Sequence, residues 1–575
     1  MRTELRAEGW RTVGNTAVRG RAFEDGRLLT ADAIAERFSD AATEHAPFPS
    51  ITALAADLEG FFSAVITLET TTYIVSDRAR SIPLYYAIDG GIVSDRGRIV
   101  KDEIGGVVDP VAESEFLLTR YVTGPETVWE GVSATHPGEV VELNGGDLRR
   151  WRYWEYWPAS TRDTTGSTED PMDVLRRGFE TALDRLQRVA DGRPIVVPLS
   201  GGYDSRLLAA ALVARDHEVV GFTFGRSGHP DVELSREVAD RLRIRWEFVP
   251  YSAADWWEWY HSEACERYRT EAFGGDALPF LAEWPAIHRL LEEERVPADA
   301  LFCPGHTVAT PSERLPAFAV ESGGQGETGC GLVNETGSRP IEATVEALVA
   351  YILERHYNLW EWDDEAFASA ARKRIERGLL GDRPPAAVNS PATAAAAYER
   401  WEWNGRMTTF TNGDLRVYED AGVDWWLPLW DPAYVRSWEQ IPLAARRNKR
   451  LHAELAADYY RQAGDIPPER ADLTDRSLTP FDRHLALVRH APARQFTERD
   501  GKWDPPFLAP RSAWDMPGQH PLGWDGVVVP ELLEAVWEPR SLYALRTLAA
   551  TGRLDLTDPA ESIPSKTIHL PTSEE

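Results

Sequence analysis

The stretch Pro194–Ser205, Pro-Ile-Val-Val-Pro-Leu-Ser-Gly-Gly-Tyr-Asp-Ser, narrows the folds open to this chain more than any other. Ile195–Leu199 is a short, β-branched apolar run of the kind that forms a buried strand. Ser200-Gly201-Gly202 breaks it, and Arg206–Ala214 (RLLAAALVA) follows as a run of strong helix formers. Strand, glycine turn and helix together point backbone N–H groups and a helix N-terminus at an anion. Gly201 and Gly202 lack a Cβ, so a phosphate can come close to the main chain. Ser200 and Ser205 add hydroxyl donors. Asp204 adds a carboxylate where a hard divalent cation could sit between protein and phosphate. The alternative is an ordinary Gly-Gly turn at a strand–helix junction. A Walker A loop is excluded, because no Gly-Lys-Ser/Thr follows.

Around this stretch the pattern alternates. Pro171–Val189 places Val174, Leu175, Phe179, Leu183 and Leu186 at helical spacing. Val219–Phe224 is a second buried strand, followed by a loop over Gly225–Pro230. Asp231–Leu242 is an amphipathic helix and Arg245–Val249 a third strand. Such alternation implies a parallel sheet with helices on both faces, which binds ligands at the carboxyl ends of its strands. Phe224 lies at one such end. Ala300–Cys303 is a further apolar run that ends in Pro304-Gly305-His306. Ile341–Tyr357 and Glu365–Leu379 are helical patterns, and Pro530–Ala550 predicts a small helical tail. Residues 1–157 are instead β-rich. Phe61–Leu68 and Thr71–Ser76 pair across a Glu-Thr turn, Ile82–Ala87 returns as a strand, and another pair closes near Pro137–Leu143. Thr161–Glu169 is a polar linker, and Ser322–Gly337 a glycine-rich excursion.

Ser-Gly-Gly-x-Asp-Ser after a strand resembles the pyrophosphate loop of the ATP pyrophosphatases, and its surroundings are most similar to the asparagine synthetase family. The resemblance covers most of residues 55–480. LEGFFSAVITLE, SDRARSIPLYYAIDGG and YWEYW resemble a class II glutamine amidotransferase domain. It implies an α+β sandwich of the N-terminal-nucleophile type over 1–157. It implies an α/β domain of the ATP pyrophosphatase type (HUP-like, adenine nucleotide alpha hydrolase) with added helices over 171–490. Residues 491–575 form an extension without an assigned role. The implied cofactors are ATP and Mg2+. ATP would be held by Leu199, Ser200, Gly201, Gly202, Asp204, Ser205, Phe224, Pro304, Gly305 and His306, and the metal by Asp204. Arg406 and the segment Gly-Val-acidic-x-x-x-Pro-x-x-Asp, here Gly422–Asp431, would face the substrate. Asp424 could then orient or deprotonate an attacking amine, or form a structural ion pair with Arg406.

The chain departs from that family at three points. It begins Met1-Arg2-Thr3, with no cysteine before Cys265, so the first domain is expected to lack glutaminase activity. It would buttress the second domain or cap its site. Ala309 aligns with the family's second metal-holding aspartate, and Glu313 lies further along. The family lysine in an Arg-x-Lys string is absent, and Arg476 is the nearest cation, able to offset charge but not to donate a proton at pH 7. Arg446-Arg447-Asn448-Lys449-Arg450 is a basic cluster, either a solvated face or a receiver of pyrophosphate. The expected activity is that of an ATP-dependent ligase. It would make an acyl-adenylate from a small-molecule or polymer-borne carboxylate and pass the acyl group to ammonia or an amine. A nucleotide-binding scaffold and an intramolecular cyclase are the alternatives.

Composition bounds the partners. Against 62 Lys and Arg stand 92 Asp and Glu, a net charge of −30, which disfavours nucleic acid and anionic membranes. The only lysines are Lys101, Lys373, Lys449, Lys502 and Lys566. An acidic, lysine-poor surface suits a cytosol at high salt, and we expect a halophilic source. No apolar run reaches the ~18–20 residues of a membrane span, and MRTELRAEGW has no signal-peptide core. Cys265, Cys303 and Cys330 show neither disulfide nor metal spacing, consistent with a reducing cytoplasm. The oligomeric state is open, a homodimer being one option.

Overall fold

Two sheets stack face to face in the N-terminal half, and a third, parallel sheet organises the rest. The computed structural model describes residues 2–158, 169–319 and 340–464 except 360, 361 and 363, together with 543, 544, 547 and 548. The larger N-terminal sheet runs in the order Asp147–Arg152, Glu139–Asn144, Thr71–Ser76, Glu59–Thr67, Thr16–Glu24, Arg11–Val13, and Arg27–Leu29 also pairs with Thr16–Glu24. The smaller is Arg2–Glu4, Ile92–Ser94, Tyr85–Ala87, Ser133–Ala134. Val65, Ile74, Val141 and Leu143 of the first meet Tyr86 and Val93 of the second in one buried cluster. On the opposite face Phe62, Ala64, Ile66 and Val75 pack beneath the helices Ala31–Ala42 and Pro47–Asp57, which contribute Ile34, Phe38 and Ile51. The period-two alternation of Phe61–Ile66 thus feeds two cores at once, which is why the run is apolar throughout. The sandwich with outer helices matches the expectation. The return strand is shorter than expected, Tyr85–Ala87 rather than Ile82–Ala87; Pro83 has no N–H to give to a ladder.

In the second half five strands lie parallel in the order Arg245–Pro250, Val219–Gly225, Ile195–Pro198, Leu301–Phe302, Asp424–Trp425. The apolar run that opens the sequence argument is the central strand, with Ile195, Val196 and Val197 wholly buried. Helices Tyr203–Val213 and Pro230–Leu242 carry the crossovers. Asp170 caps the long helix Pro171–Ala190 through Met172 N–H. The helix expected over Ile341–Tyr357 starts only at Val345, where the Thr344 side chain accepts from Ala347 N–H. The fifth strand, Asp424–Trp425, was not anticipated. The extension 491–575, apart from four residues, and the 322–337 excursion lie outside the described residues. Among the described residues no helix is long and apolar enough to cross a membrane.

The two halves meet along several elements, among them Arg80 on Asp276, Asn412 on the carbonyls of Ala79 and Arg80, and the segment that follows the fifth strand. Trp426 is gripped by Phe61 at 4.6 Å and Phe23 at 6.2 Å, both edge-on. Each such pair adds about 0.5–1.5 kcal/mol beyond its buried area. Arg185 bridges Asp431, at 2.7 Å, and Glu59 of the N-terminal sheet. Here the first domain buttresses the second; these contacts do not reach the glycine loop.

Candidate anion-binding site at the glycine loop

The loop stands where the sheet geometry requires, at the carboxyl end of the central strand. The helix after it begins at Tyr203, earlier than the propensities alone suggest, with Gly202 at its N-cap and no side-chain cap. Ser200 and Gly202 are exposed. Three hydrogen bonds shape the turn. Ser205 Oγ accepts from Ser200 N–H at 3.1 Å and lies 3.2 Å from Ser200 Oγ, and Gly202 N–H donates to Ser200 Oγ at 3.2 Å. The buried Arg206 donates to Gly201 C=O at 2.9 Å from behind. A Cβ on Gly201 would lie 2.4 Å from Leu234 Cδ2 of the neighbouring helix, so any larger residue there would have to displace that side chain.

Pro304–His306 comes to the same edge. A Cβ on Gly305 would lie 3.1 Å from Ser205 N and 3.5 Å from Asp204 Cβ, so the second loop rests directly on the first. Phe224 lies at the end of its strand, stacked on Tyr251 at 5.4 Å. Leu199, Ser200, Gly201, Gly202, Asp204, Ser205, Phe224, Pro304 and Gly305 therefore share the carboxyl edge. His306 does so too, but its Nε2 lies 3.1 Å from the buried Asp414 and its ring leans on Trp430. That nitrogen is already engaged, which weakens the phosphate role given to it.

Asp204 has unexpected company. Lys449 Nζ lies 3.1 Å from Asp204 Oδ2 and 3.0 Å from Glu313 Oε1. His452 Nε2 lies 2.8 Å from Asp204 Oδ1, and its Nδ1 is 2.7 Å from the Tyr434 hydroxyl. Lys449 precedes the helix Arg450–Gly464, whose His452 is on its first turn, and this helix packs along Tyr203–Val213. Burial opposes the Asp204 charge, but Lys449 and then His452 outweigh it and hold the carboxyl well below its ordinary range. Burial likewise works against the Lys449 ammonium. Asp204 and then Glu313 overcome it and raise its pKa. Mg2+ needs open carboxylate oxygens. Both Asp204 oxygens already face cationic or ring nitrogens, and Ala309 supplies no second ligand, so the residues present do not fit the ion. Among the described residues no group of three or more His, Cys, Asp or Glu could hold a metal.

Asp424 is a correction. It is the first residue of its strand, paired in register with Leu301, which in turn faces Ile195. It therefore sits at the amino edge, about 13 Å of strand rise from Leu199. Its carboxylate is held by Arg21 at 2.5 Å and Arg193 at 3.0 Å. Arg406 pairs with neither Asp424 nor Asp431 but lies 3.6 Å from Glu402. Asp431 accepts from Arg185 and caps the helix Pro432–Glu439. These acids join domains and do not face the loop. Arg476 lies outside the described residues. In the basic cluster Arg446 is buried against Glu399 at 2.9 Å, and Lys449 reaches the site. Of the neighbours of Asp204, His452 carries no signal in the sequence, Lys449 stands there only as one member of the basic cluster, and Glu313 only as an acid beyond Ala309.

Five parallel strands, a glycine turn at the carboxyl end of the central one and an uncapped helix beyond it make up an α/β domain with a candidate anion site. The asparagine synthase family model matches residues 175–283. Asparagine synthetase [glutamine-hydrolyzing] 2 of Arabidopsis thaliana is 36% identical over 131 residues, 21% of this chain and 21% of its own length. Asparagine synthetase [glutamine-hydrolyzing] of Zea mays is 29% identical over 202 residues, 32% of this chain and 29% of its own length. The chain thus spans less than a third of the length of these relatives. Among solved structures, a glutamine phosphoribosylpyrophosphate amidotransferase from B. subtilis covers 62% of this chain and 76% of its own at 11% identity and TM-score 0.18. An NAD+ synthetase from Burkholderia pseudomallei covers 40% and 82% at 17% identity and TM-score 0.17.

Proposed function

We propose that this chain is an ATP-dependent carbon–nitrogen ligase. The observation that carries the reading is the exposed Ser200–Gly202 turn, set before an uncapped helix N-terminus and backed by Gly305. The main chain at Gly201 and at the start of the helix Tyr203–Val213, with the hydroxyls of Ser200 and Ser205, would hold the β- and γ-phosphates. Phe224 would flank the adenosine. A substrate carboxylate oxygen attacks the α-phosphorus, the bond to the bridging oxygen breaks, and pyrophosphate leaves. The nitrogen of ammonia or an amine then attacks the acyl carbon of the adenylate. AMP departs, the nitrogen loses a proton, and an amide remains. Lys449 would offset charge on the departing pyrophosphate, the task first assigned to Arg476. The acyl substrate is a small-molecule or polymer-borne carboxylate, with aspartate, and so asparagine formation, the first to try. An amine within the substrate itself would make the enzyme a cyclase.

A second reading has one observation in its favour. Asp204 is neutralised within the protein and the second loop carries Ala309, as in a nucleotide-binding scaffold that has lost the reaction. Isotope exchange between pyrophosphate and ATP, measured across a panel of carboxylates, separates the two. Carboxylate-dependent exchange supports the ligase. ATP binding without exchange for any carboxylate supports the scaffold, and no ATP binding removes both.

A further inference from the structure

The ammonium of Lys449 occupies the place beside the phosphate loop where a divalent cation would be needed. Its Nζ is shared between Asp204 at 3.1 Å and Glu313 at 3.0 Å, and His452 covers the other oxygen of Asp204. Those two carboxylates are the acidic side chains that Lys449 brings together at the loop. Lys449 is 5% exposed, His452 is fully buried, and Asn448 and Lys449 both adopt left-handed backbone, at φ 55° each. Two successive non-glycine residues in that region persist only where the surroundings impose them. Here the imposing element is the helix Arg450–Gly464, packed along the helix that follows the loop. The ammonium is therefore fixed by the fold. A Mg2+ ion entering between Asp204 and Glu313 would have to expel Lys449 into water or lie against it, like charge on like charge.

We propose that the loop binds a nucleoside triphosphate without a protein-held divalent cation, Lys449 being its built-in counter-ion. This rests on the nucleotide reading of the site given above. Lysine is an effective phosphate partner as a compact point charge, and a fixed one needs no metal recruitment. Asp204 and Glu313 then act as positioning residues that hold the ammonium at the mouth of the loop.

ATP binding to the full chain, measured by titration calorimetry in EDTA and again in excess MgCl2, tests this. Affinities within about threefold of each other are expected, since no metal–protein bond is gained. ATP that binds only with magnesium, or at least about tenfold tighter with it, overturns the inference and leaves the nucleotide reading standing. ATP that binds under neither condition overturns the nucleotide reading and the inference with it. Lys449→Met gives an independent readout. Freed of the ammonium, Asp204 and Glu313 should accept a divalent ion, so MnCl2 should raise the melting temperature of the variant and not that of the parent. A parent stabilised by MnCl2 and losing that response in Asp204→Asn would overturn the inference. If the Lys449 variant does not fold, the calorimetric comparison on the parent still decides.

Discussion

Replacing Arg185 by methionine should loosen the joint between the two halves by far more than a surface arginine would. Arg185 is 12% exposed and donates to Asp431, which is fully buried, and to Glu59, while its guanidinium lies 5.2 Å from the Phe23 ring. Methionine keeps much of the contact with Phe23, so the loss is chiefly electrostatic. Glu59 is not orphaned, because Arg436 and Arg78 also face it. Asp431 keeps the N–H of Ala433 and loses its only ion-pair partner among the described residues. Leaving one member of a buried pair uncompensated costs about 3–5 kcal/mol, or roughly 10 °C in melting temperature for a domain of this size. The cost should depend on pH. Burial raises the Asp431 pKa, with Arg185 opposing it. Without Arg185 it rises further above the unfolded value. A carboxyl group raised in this way contributes stability that is fully present below its unfolded pKa and is lost as pH rises through its folded one. The gap between Arg185→Met and the parent should therefore be wider at pH 8 than at pH 5. Tryptophan fluorescence during urea unfolding reports on it directly, since Trp425, Trp426 and Trp430 flank the joint. Asp431→Asn keeps an acceptor for Ala433 and removes the charge, so in that background Arg185→Met should cost about 2 kcal/mol less and show no widening with pH. A gap that is constant from pH 5 to 8, or equal in both backgrounds, would refute the reasoning.

Three more outcomes follow from single residues. Asp424→Asn should leave ATP affinity unchanged while lowering stability by on the order of 1 kcal/mol, because its partly exposed pairs with Arg21 and Arg193 lie at the wrong edge for ligand; calorimetry and a melt on the same sample check both. Gly305→Ala inserts a methyl 3.1 Å from Ser205 N and should weaken ATP binding about tenfold with a melting change of only a few degrees. Asp77 is buried, which pushes its carboxyl up to about 6 against hydrogen bonds from Ser81, Ala79 and Phe62. Its stabilising contribution is thus greatest in acid and should fall by about 3 kcal/mol as pH rises through 6, a slope that Asp77→Asn abolishes in pH-dependent denaturation.

The central strand, its two parallel neighbours, the crossover helices and the sandwich were legible because each announces itself locally, by an apolar run of the right length or by period-two alternation. Leu301–Phe302 was legible only as a strand end, and Asp424–Trp425 not at all. Two residues are too short for a period to show, and tertiary pairing alone makes them a strand. That omission explains the misplacement of Asp424. Once Asp424 is known to open a parallel strand, it must stand at the amino edge, away from any ligand. Lys449 was legible only as one member of a basic cluster with two readings. A run of five basic and amide residues on the surface is usually a solvated face, and nothing local says that Arg446 turns inward to Glu399 and Lys449 to Asp204. One signal did exist. This chain uses arginine almost everywhere, and Lys449 is the only lysine between Lys373 and Lys502.

The two edges of the parallel sheet divide these cations by what each can do. Arginine, planar and forked, can hold two carboxylates at once, and it is used where domains must be fixed: Arg185 between Glu59 and Asp431, and Arg21 and Arg193 on Asp424. At the loop the demand is different. A chain of net charge −30 repels a triphosphate at long range, and a helix N-terminus offers only about half a unit of positive charge. A whole cation is needed there, small enough to leave the phosphate oxygens to the main-chain donors. An ammonium buried between two carboxylates meets that need, and its backbone is fixed before any ligand arrives. The acids that neutralise Lys449 then allow an ammonium to be kept buried at the loop, and their pull on it is what a triphosphate would compete with.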